Sequence, residues 1–228
     1  KLAKDIDCEF ERKTNYVYSI NDRKALEREM DILTKLGFDA IFTEYTELPF
    51  RVAGAVRFEN QAQFHPLKFV AALAKHLHIY EHTYVKELKP HVAVSNRGNI
   101  SFDQVIFATH FPIDNKHGMY FMKLYQHRSY VISYEQAQNV EGMYVDDAMG
   151  GMSFRNYGDS LLIGGGDHRT GKQGGTWKEI EGFAREHYKE ARETARWATQ
   201  DCMSLDGVPY IGAYSKNMPG CYVATGFN

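Results

Sequence analysis

At 228 residues the chain is long enough to bury a sizeable core as one domain or as two small ones. A formal charge of −2 gives no electrostatic case for a nucleic-acid or anionic-membrane partner, and no apolar run approaches the roughly 20 residues of a membrane helix. Hydrophobic and charged contents of 43% and 25% are those of a globular protein, and Cys8, Cys202 and Cys221, widely spaced without C-x-x-C, suit a reduced cytoplasmic protein with incidental thiols.

Residues 1–6 read as the end of a helix begun upstream. Cys8–Lys13 and Asn15–Ile20 read as short strands around a turn. Asp22 caps a helix running to about Leu36, with Leu26, Met30 and Leu33 as its apolar stripe and Gly37 as its stop. Phe38–Tyr45 and Ala55–Glu59 are strand-like. His65-Pro66 opens a second helix, Pro66 suiting a first turn, and Leu67, Val70, Ala71, Ala74 and Leu77 line one face. Phe69 and Leu73 add apolar residues elsewhere, so this helix is expected to be well buried.

His78–Thr83 reads as a strand, followed by a hairpin around Asn96-Arg97-Gly98-Asn99. Val105–Ala108 is apolar without alternation, the pattern of a strand covered on both faces in a parallel sheet. After Pro112 long antiparallel segments take over: Arg128–Tyr134, then Ser153–Tyr157 and Ser160–Gly164 around Gly158-Asp159. Thr176-Trp177-Lys178-Glu179 fits a capping box before a helix, and Thr194–Met203 reads as a strand. The expected class is α/β with α+β character, in two interleaved units. One, residues 8–63 and 115–201, is an antiparallel or mixed-sheet unit; the other, 64–114 and 202–228, is a partial parallel unit.

Two stretches carry the chemistry. Ala108-Thr109-His110 lies where the Val105–Phe107 strand ends, the side on which open parallel sheets take ligands. Asp206-Gly207-x-Pro209-x-Ile211-Gly212 combines two conformationally free glycines with a fixed proline, and Val223-Ala224-Thr225-Gly226 follows about a dozen residues later. Together these resemble the cofactor-facing edges of the FAD-dependent D-amino-acid oxidase and glycine oxidase superfamily, over nearly the whole chain. The tract Trp197-Ala198-Thr199-Gln200-Asp201 is similar to the glycine/D-amino-acid oxidase-like branch, some of whose members carry a Rieske iron–sulfur domain. No Cys-x-His or Cys-x-x-His pair occurs here.

The resemblance implies a substrate domain and an incomplete Rossmann-like FAD-binding domain. Val85 would face the adenine half through its backbone. Ala108, Thr109 and His110 would lie near the diphosphate and ribityl region, and Gly207, Gly212, Gly226, Phe227 and Asn228 near the isoalloxazine. It implies oxidation of a small amine or amino-acid-like substrate by hydride transfer to FAD. Two departures qualify that. No Gly-x-Gly-x-x-Gly is present, so the chain reads as an internal piece that awaits N- and C-terminal segments of the same protein, binds FAD weakly or not at all, and is inactive alone. And where many family members place a substrate-clamping arginine, five residues before the motif's Asp, this chain has Asp201. Arg155, Arg196 and Arg57 are the candidate replacements, with His168 and Gln200 as further substrate-side candidates.

Other patterns are weaker. Gly166–Lys172 approaches a phosphate loop but continues with Gln173 rather than Ser or Thr, and Gly164-Gly165-Gly166 reads better as an exit loop near a ligand. His76, His78 and His82 are spaced along a helix end and a strand, which does not converge three rings on a metal. The alternatives to a flavoenzyme are a non-catalytic recognition module without flavin and a P-loop nucleotide-binding protein.

Overall fold

Local capping signals and long apolar strands build two units. A computed structural model describes residues 2–114 and 117–227. The first unit takes the chain up to Leu77, Ser129–His168 and Gln173–Thr199, and the second takes His78–Arg128, Arg169–Lys172 and the chain from Gln200. The class is mixed α/β.

In chain order the elements are β1 (Glu11–Ser19), α1 (Arg23–Leu36), β2 (Ile41–Thr43), β3 (Gly54–Gln63), α2 (Pro66–Ala74), β4 (Val85–Lys89), β5 (Val92–Ser95), β6 (Gly98–Ser101) and β7 (Val105–Phe107). They continue with α3 (Tyr120–Lys123), β8 (Leu124–Glu135), β9 (Met143–Asp146), β10 (Ser153–Tyr157), β11 (Ser160–Arg169), α4 (Trp177–His187), β12 (Arg192–Ser204), β13 (Tyr210–Ala213) and β14 (Cys221–Thr225).

The main sheet has eight strands in the order β12-β8-β11-β10-β9-β1-β3-β2. β1 runs parallel to β9 and antiparallel to β3, and β10 is antiparallel to both β9 and β11. This register puts Tyr18, Tyr144, Phe154 and Ile163 into one buried cluster, which Ile180 and Ala184 of α4 join. Tyr16 stacks on Tyr144 with ring centroids 4.6 Å apart. Full burial of each such side chain contributes roughly 1.5–3 kcal/mol. The second unit packs Phe107, Tyr120, Leu124, Cys202, Tyr214, Cys221 and Val223 around two three-stranded sheets, β13-β14-β7 and β4-β5-β6.

Helix α1 ends where its signals lie. Asp22 Oδ1 accepts the Ala25 N–H at 2.9 Å, and Gly37 closes the helix at φ 74° with Phe38 N–H reaching the Leu33 carbonyl at 2.9 Å. Thr176 caps α4 by accepting the Lys178 N–H at 3.2 Å.

Several expectations are corrected. β1 is one strand with a bulge between Lys13 and Asn15, not two strands about a turn. Of residues 1–6 the described part is a 3-10 turn, Leu2–Asp5. His78–Thr83 forms no strand; pairing starts only at Val85, opposite Ser95. Helix α2 is not well buried: Leu67 is 74% and Val70 57% exposed. It is held instead at its start, where His65 N–H donates to the Cys8 carbonyl at 2.7 Å and Lys68 pairs with Glu9, contacts that join it to the first unit. β7 is covered on one face only: Phe107 is buried while Ile106 is 66% exposed. Gly164-Gly165-Gly166 is not a loop but part of β11. A Cβ at Gly165 would stand 2.4 Å from the Met152 sulfur, so close packing explains the glycine. The same strand runs on through Arg169, which removes the strand–loop–helix geometry of a phosphate loop.

Candidate functional site

In the second unit β14 lies parallel to β7, with Cys221, Tyr222 and Val223 opposite Val105, Ile106 and Phe107. Both strands therefore end at the same side of their sheet. The segments leaving them are joined there: the Thr225 hydroxyl donates to the His110 carbonyl. Thr109 and Gly226, far apart in sequence, are thus brought together at the edge where parallel sheets take ligands.

The first turn is closed on itself, since Thr109 Oγ1 donates to the Phe111 carbonyl and Phe111 N–H returns to the Thr109 carbonyl, each at 2.8 Å. Ala108, Thr109 and His110 stay exposed, and His110 adopts φ 67°. Gly226 is required at φ 73°: a Cβ there would also sit 3.1 Å from Leu124 and 3.3 Å from Ser204. Gly212, on β13 opposite Val223, faces open space where its Cβ would stand. Gly207 lies in the turn before β13, and Phe227 is 55% exposed. Val85 starts β4, in the other small sheet of this unit. Asn228 lies outside the described residues.

In the first unit Arg155 stands on β10 opposite Met143 of β9 and Leu162 of β11. The register turns these three to the sheet face opposite Phe154, Tyr144 and Ile163, whose side chains form the core. There they line a cavity of about 380 Å³, with Val131 and Trp197 among its other walls. The Arg155 guanidinium makes no hydrogen bond or ion pair with any described residue. The two faces of β12 are now distinct: Trp197 faces the cavity, and Ala198 packs on the core.

The other candidates are engaged elsewhere. Arg196 is gripped by Glu193 and by Glu181 at 2.9 Å, and lies 5.8 Å over the Trp177 ring. Those carboxylates, Glu193 foremost, raise its pKa further. Arg57 pairs with Glu59 at 2.8 Å and belongs to the face of Tyr16. The His168 ring stacks on Tyr130 at 5.9 Å, its Nδ1 lies 3.3 Å from the Gly166 carbonyl, and the backbone at Gly174 packs against it. Gln200 belongs to the second unit, where it accepts from Arg128 and donates to Gln126, both at 2.9 Å. Sequence reasoning missed Met143, Leu162 and Val131 as walls around Arg155. Alternation identifies a face within one strand, but which residues of neighbouring strands stand opposite is a matter of register.

The class of protein comes from comparison with known families. The model of a family described as FAD dependent oxidoreductase matches residues 1–228, and the chain belongs to that family. It is similar to a putative Rieske 2Fe-2S iron-sulfur protein, YhfW, of Bacillus subtilis (strain 168), at 30% identity over 249 residues. That similarity covers 97% of this chain but only 47% of the relative, so the chain spans about half the relative's length. Among solved structures, glycine oxidase from Geobacillus kaustophilus superposes with a TM-score of 0.80 at 19% identity, over 99% of this chain and 69% of that one. L-proline dehydrogenase from P. horikoshii gives 0.77 at 16% identity, over 99% and 70%. L-amino acid deaminase from Proteus vulgaris gives 0.72 at 12%, over 96% and 71%. At these identities the likeness is one of fold.

In that family the bound group is FAD, and the second unit's strand-end edge is where its residues can be tested for fit. The exposed Ala108–His110 turn and the open Cβ position at Gly212 leave backbone accessible there, while Gly226 is buried against Leu124 and Ser204. A glycine-rich diphosphate loop is not in the sequence.

Proposed function

We propose that this chain is part of a flavin-dependent oxidoreductase that oxidises a small amine or amino-acid-like substrate. The single observation that carries the reading is the parallel β7–β14 pair with its Thr225–His110 hydrogen bond, which sets the Thr109 and Gly226 turns side by side. Ala108, Thr109, His110, Gly207, Gly212, Gly226 and Phe227 would hold the flavin, with Val85 toward the adenine end. Bound FAD would supply the hydride acceptor.

The chain's own contribution is to bind and orient the substrate. Arg155 takes the carboxylate by a paired fork of N–H donors, the role that Asp201 cannot fill in the closing motif. The apolar walls at Val131, Leu162 and Trp197 would pack on the apolar body of the substrate beside that pair. No side chain of the cavity is an acid or a base of ordinary catalytic range, which suits a substrate whose amine binds neutral. The three free, buried cysteines suit a cytoplasmic setting.

The test is spectroscopic. The natural-length protein purified from cells should be yellow, with flavin absorbance that bleaches when candidate amines are added without oxygen. A colourless, folded natural-length protein that stays colourless on reconstitution with FAD would overturn the reading in favour of a recognition module.

A further inference from the structure

We infer that the Arg155 cavity selects a monocarboxylate whose body is apolar and about the size of one aromatic ring, and rejects cations and small polar acids. The inference deepens the reading of Arg155 as carboxylate holder but does not depend on flavin. Three observations carry it. The first is charge. Arg155 is the one charged residue lining the cavity, no carboxylate lines it, and the guanidinium has no partner among the described residues. An anion is therefore stabilised there, a second carboxylate on the ligand finds no second cation, and an ammonium group finds no counter-charge.

The second observation is shape. A volume of about 380 Å³ is at the small end of ligand sites. It exceeds what a two-carbon acid fills. Val131, Leu162 and Met143 form an apolar floor, and the Trp197 ring, 40% exposed, stands at the wall. A ring placed on such a floor gains contact on several sides, while acetate leaves most of it wet.

The third is position. Arg155 also lines the adjoining pocket around Tyr157 and His65, where Glu9 and Glu11 are already paired with Lys68 and Lys13, so it stands where the two spaces meet. A ligand with its carboxylate there points its body along the sheet toward Trp197. Arg196 and Arg57, committed to Glu193, Glu181 and Glu59, do not compete for the anion.

Calorimetric titration of the 228-residue protein, without added FAD, tests this with three probes: phenylacetate, acetate and phenethylamine. Phenylacetate should bind roughly tenfold or more tighter than either of the others, since acetate lacks the ring and phenethylamine carries the wrong charge. Arg155→Met, which keeps the aliphatic stem, should weaken phenylacetate by about ten- to hundredfold, and Arg155→Lys should restore part of it. Should Arg155→Met fail to fold by circular dichroism, Trp197→Ala is the second arm: it should erase most of the preference for phenylacetate over acetate. Equal binding of phenethylamine, undiminished binding by folded Arg155→Met, a preference unchanged in Trp197→Ala, or no heat with phenylacetate each overturns the inference. None of these results bears on the flavin bands of the natural-length protein, so the two readings fail separately.

Discussion

Asp146 shows how one close approach sets a side chain's chemistry. Its carboxylate ends β9, accepts the Ala148 N–H at 3.0 Å and lies against the Tyr18 hydroxyl, which itself donates to the Met152 carbonyl at 2.9 Å. The returning loop presses on it: a Cβ at Gly151 would stand 2.2 Å from the Asp146 Cβ. Burial is the main cause raising the Asp146 pKa; the Ala148 and Tyr18 bonds oppose it, and neighbouring Asp147 adds to it. Tyr18 is raised by the same burial, then by Asp146. The sign for stability follows. An acid whose folded pKa lies above its unfolded value, about 4 for Asp, holds its proton longer in the native state. Its contribution is most favourable below that value and is lost as pH rises through the folded pKa. Asp146→Asn keeps an oxygen for Ala148 and removes the ionisation, so it should raise Tm at pH 7 and leave Tm nearly unchanged at pH 3. Equal shifts at both pH values would show that the side chain's charge is not the cause. Arg155 teaches a parallel lesson: its residue type made it a candidate in the sequence, but only the structure shows that Arg196 and Arg57 are neutralised and Arg155 is not.

Elements were legible in the sequence in proportion to how local their signals are. Helix α1 is read to the residue because a carboxylate at Asp22 and a left-handed glycine at Gly37 act within one turn of its ends. Asp22→Ala should therefore cost about 1 kcal/mol in urea unfolding, and Asp31→Ala, in mid-helix, much less. A loss no greater than that of Asp31→Ala would mean that the Asp22–Ala25 bond is replaced by water at no cost. Helix α2 carries an equally clear stripe, yet Leu67 and Val70 are exposed, because a stripe records what an element can cover and not what covers it. The glycines of β11 misread as a loop for the same reason. The Ser153 hydroxyl beside Gly164, the Met152 sulfur above Gly165 and the backbone of Thr176 against Gly166 explain them, and none of those neighbours lies on the same strand. The walls of the Arg155 cavity were hidden similarly, since they come from the pairing of β9, β10 and β11 and not from any one strand.

At the scale of the whole molecule, the proposed cofactor edge lacks one feature that a dinucleotide cofactor needs. An FAD diphosphate is held by backbone N–H groups at a helix N-terminus reached through a glycine-rich turn. The sequence has no such turn, and the edge proposed for the cofactor offers the ends of β7 and β14 and the exposed Ala108–His110 turn instead. Those groups could line the flat end of the ligand, but each is exposed or apolar and none is a lysine or arginine. The second unit also leaves Ile106 and Ile211 66% and 70% exposed on one face of β13-β14-β7, although parallel strands are normally covered on both faces. FAD added to the 228-residue chain should thus bind weakly: it should separate from the protein on gel filtration and leave Tm unchanged at micromolar concentration, whereas a ligand held a hundredfold below its concentration would stabilise by about 2.7 kcal/mol. The chain alone should then show no amine oxidation. A tight yellow complex surviving gel filtration would mean that strand ends without a diphosphate loop suffice to hold the cofactor, and would locate the binding energy at the Thr109 and Gly226 turns themselves; substituting Gly226 by Val, disfavoured at φ 73° and crowded by Leu124, should then release the flavin.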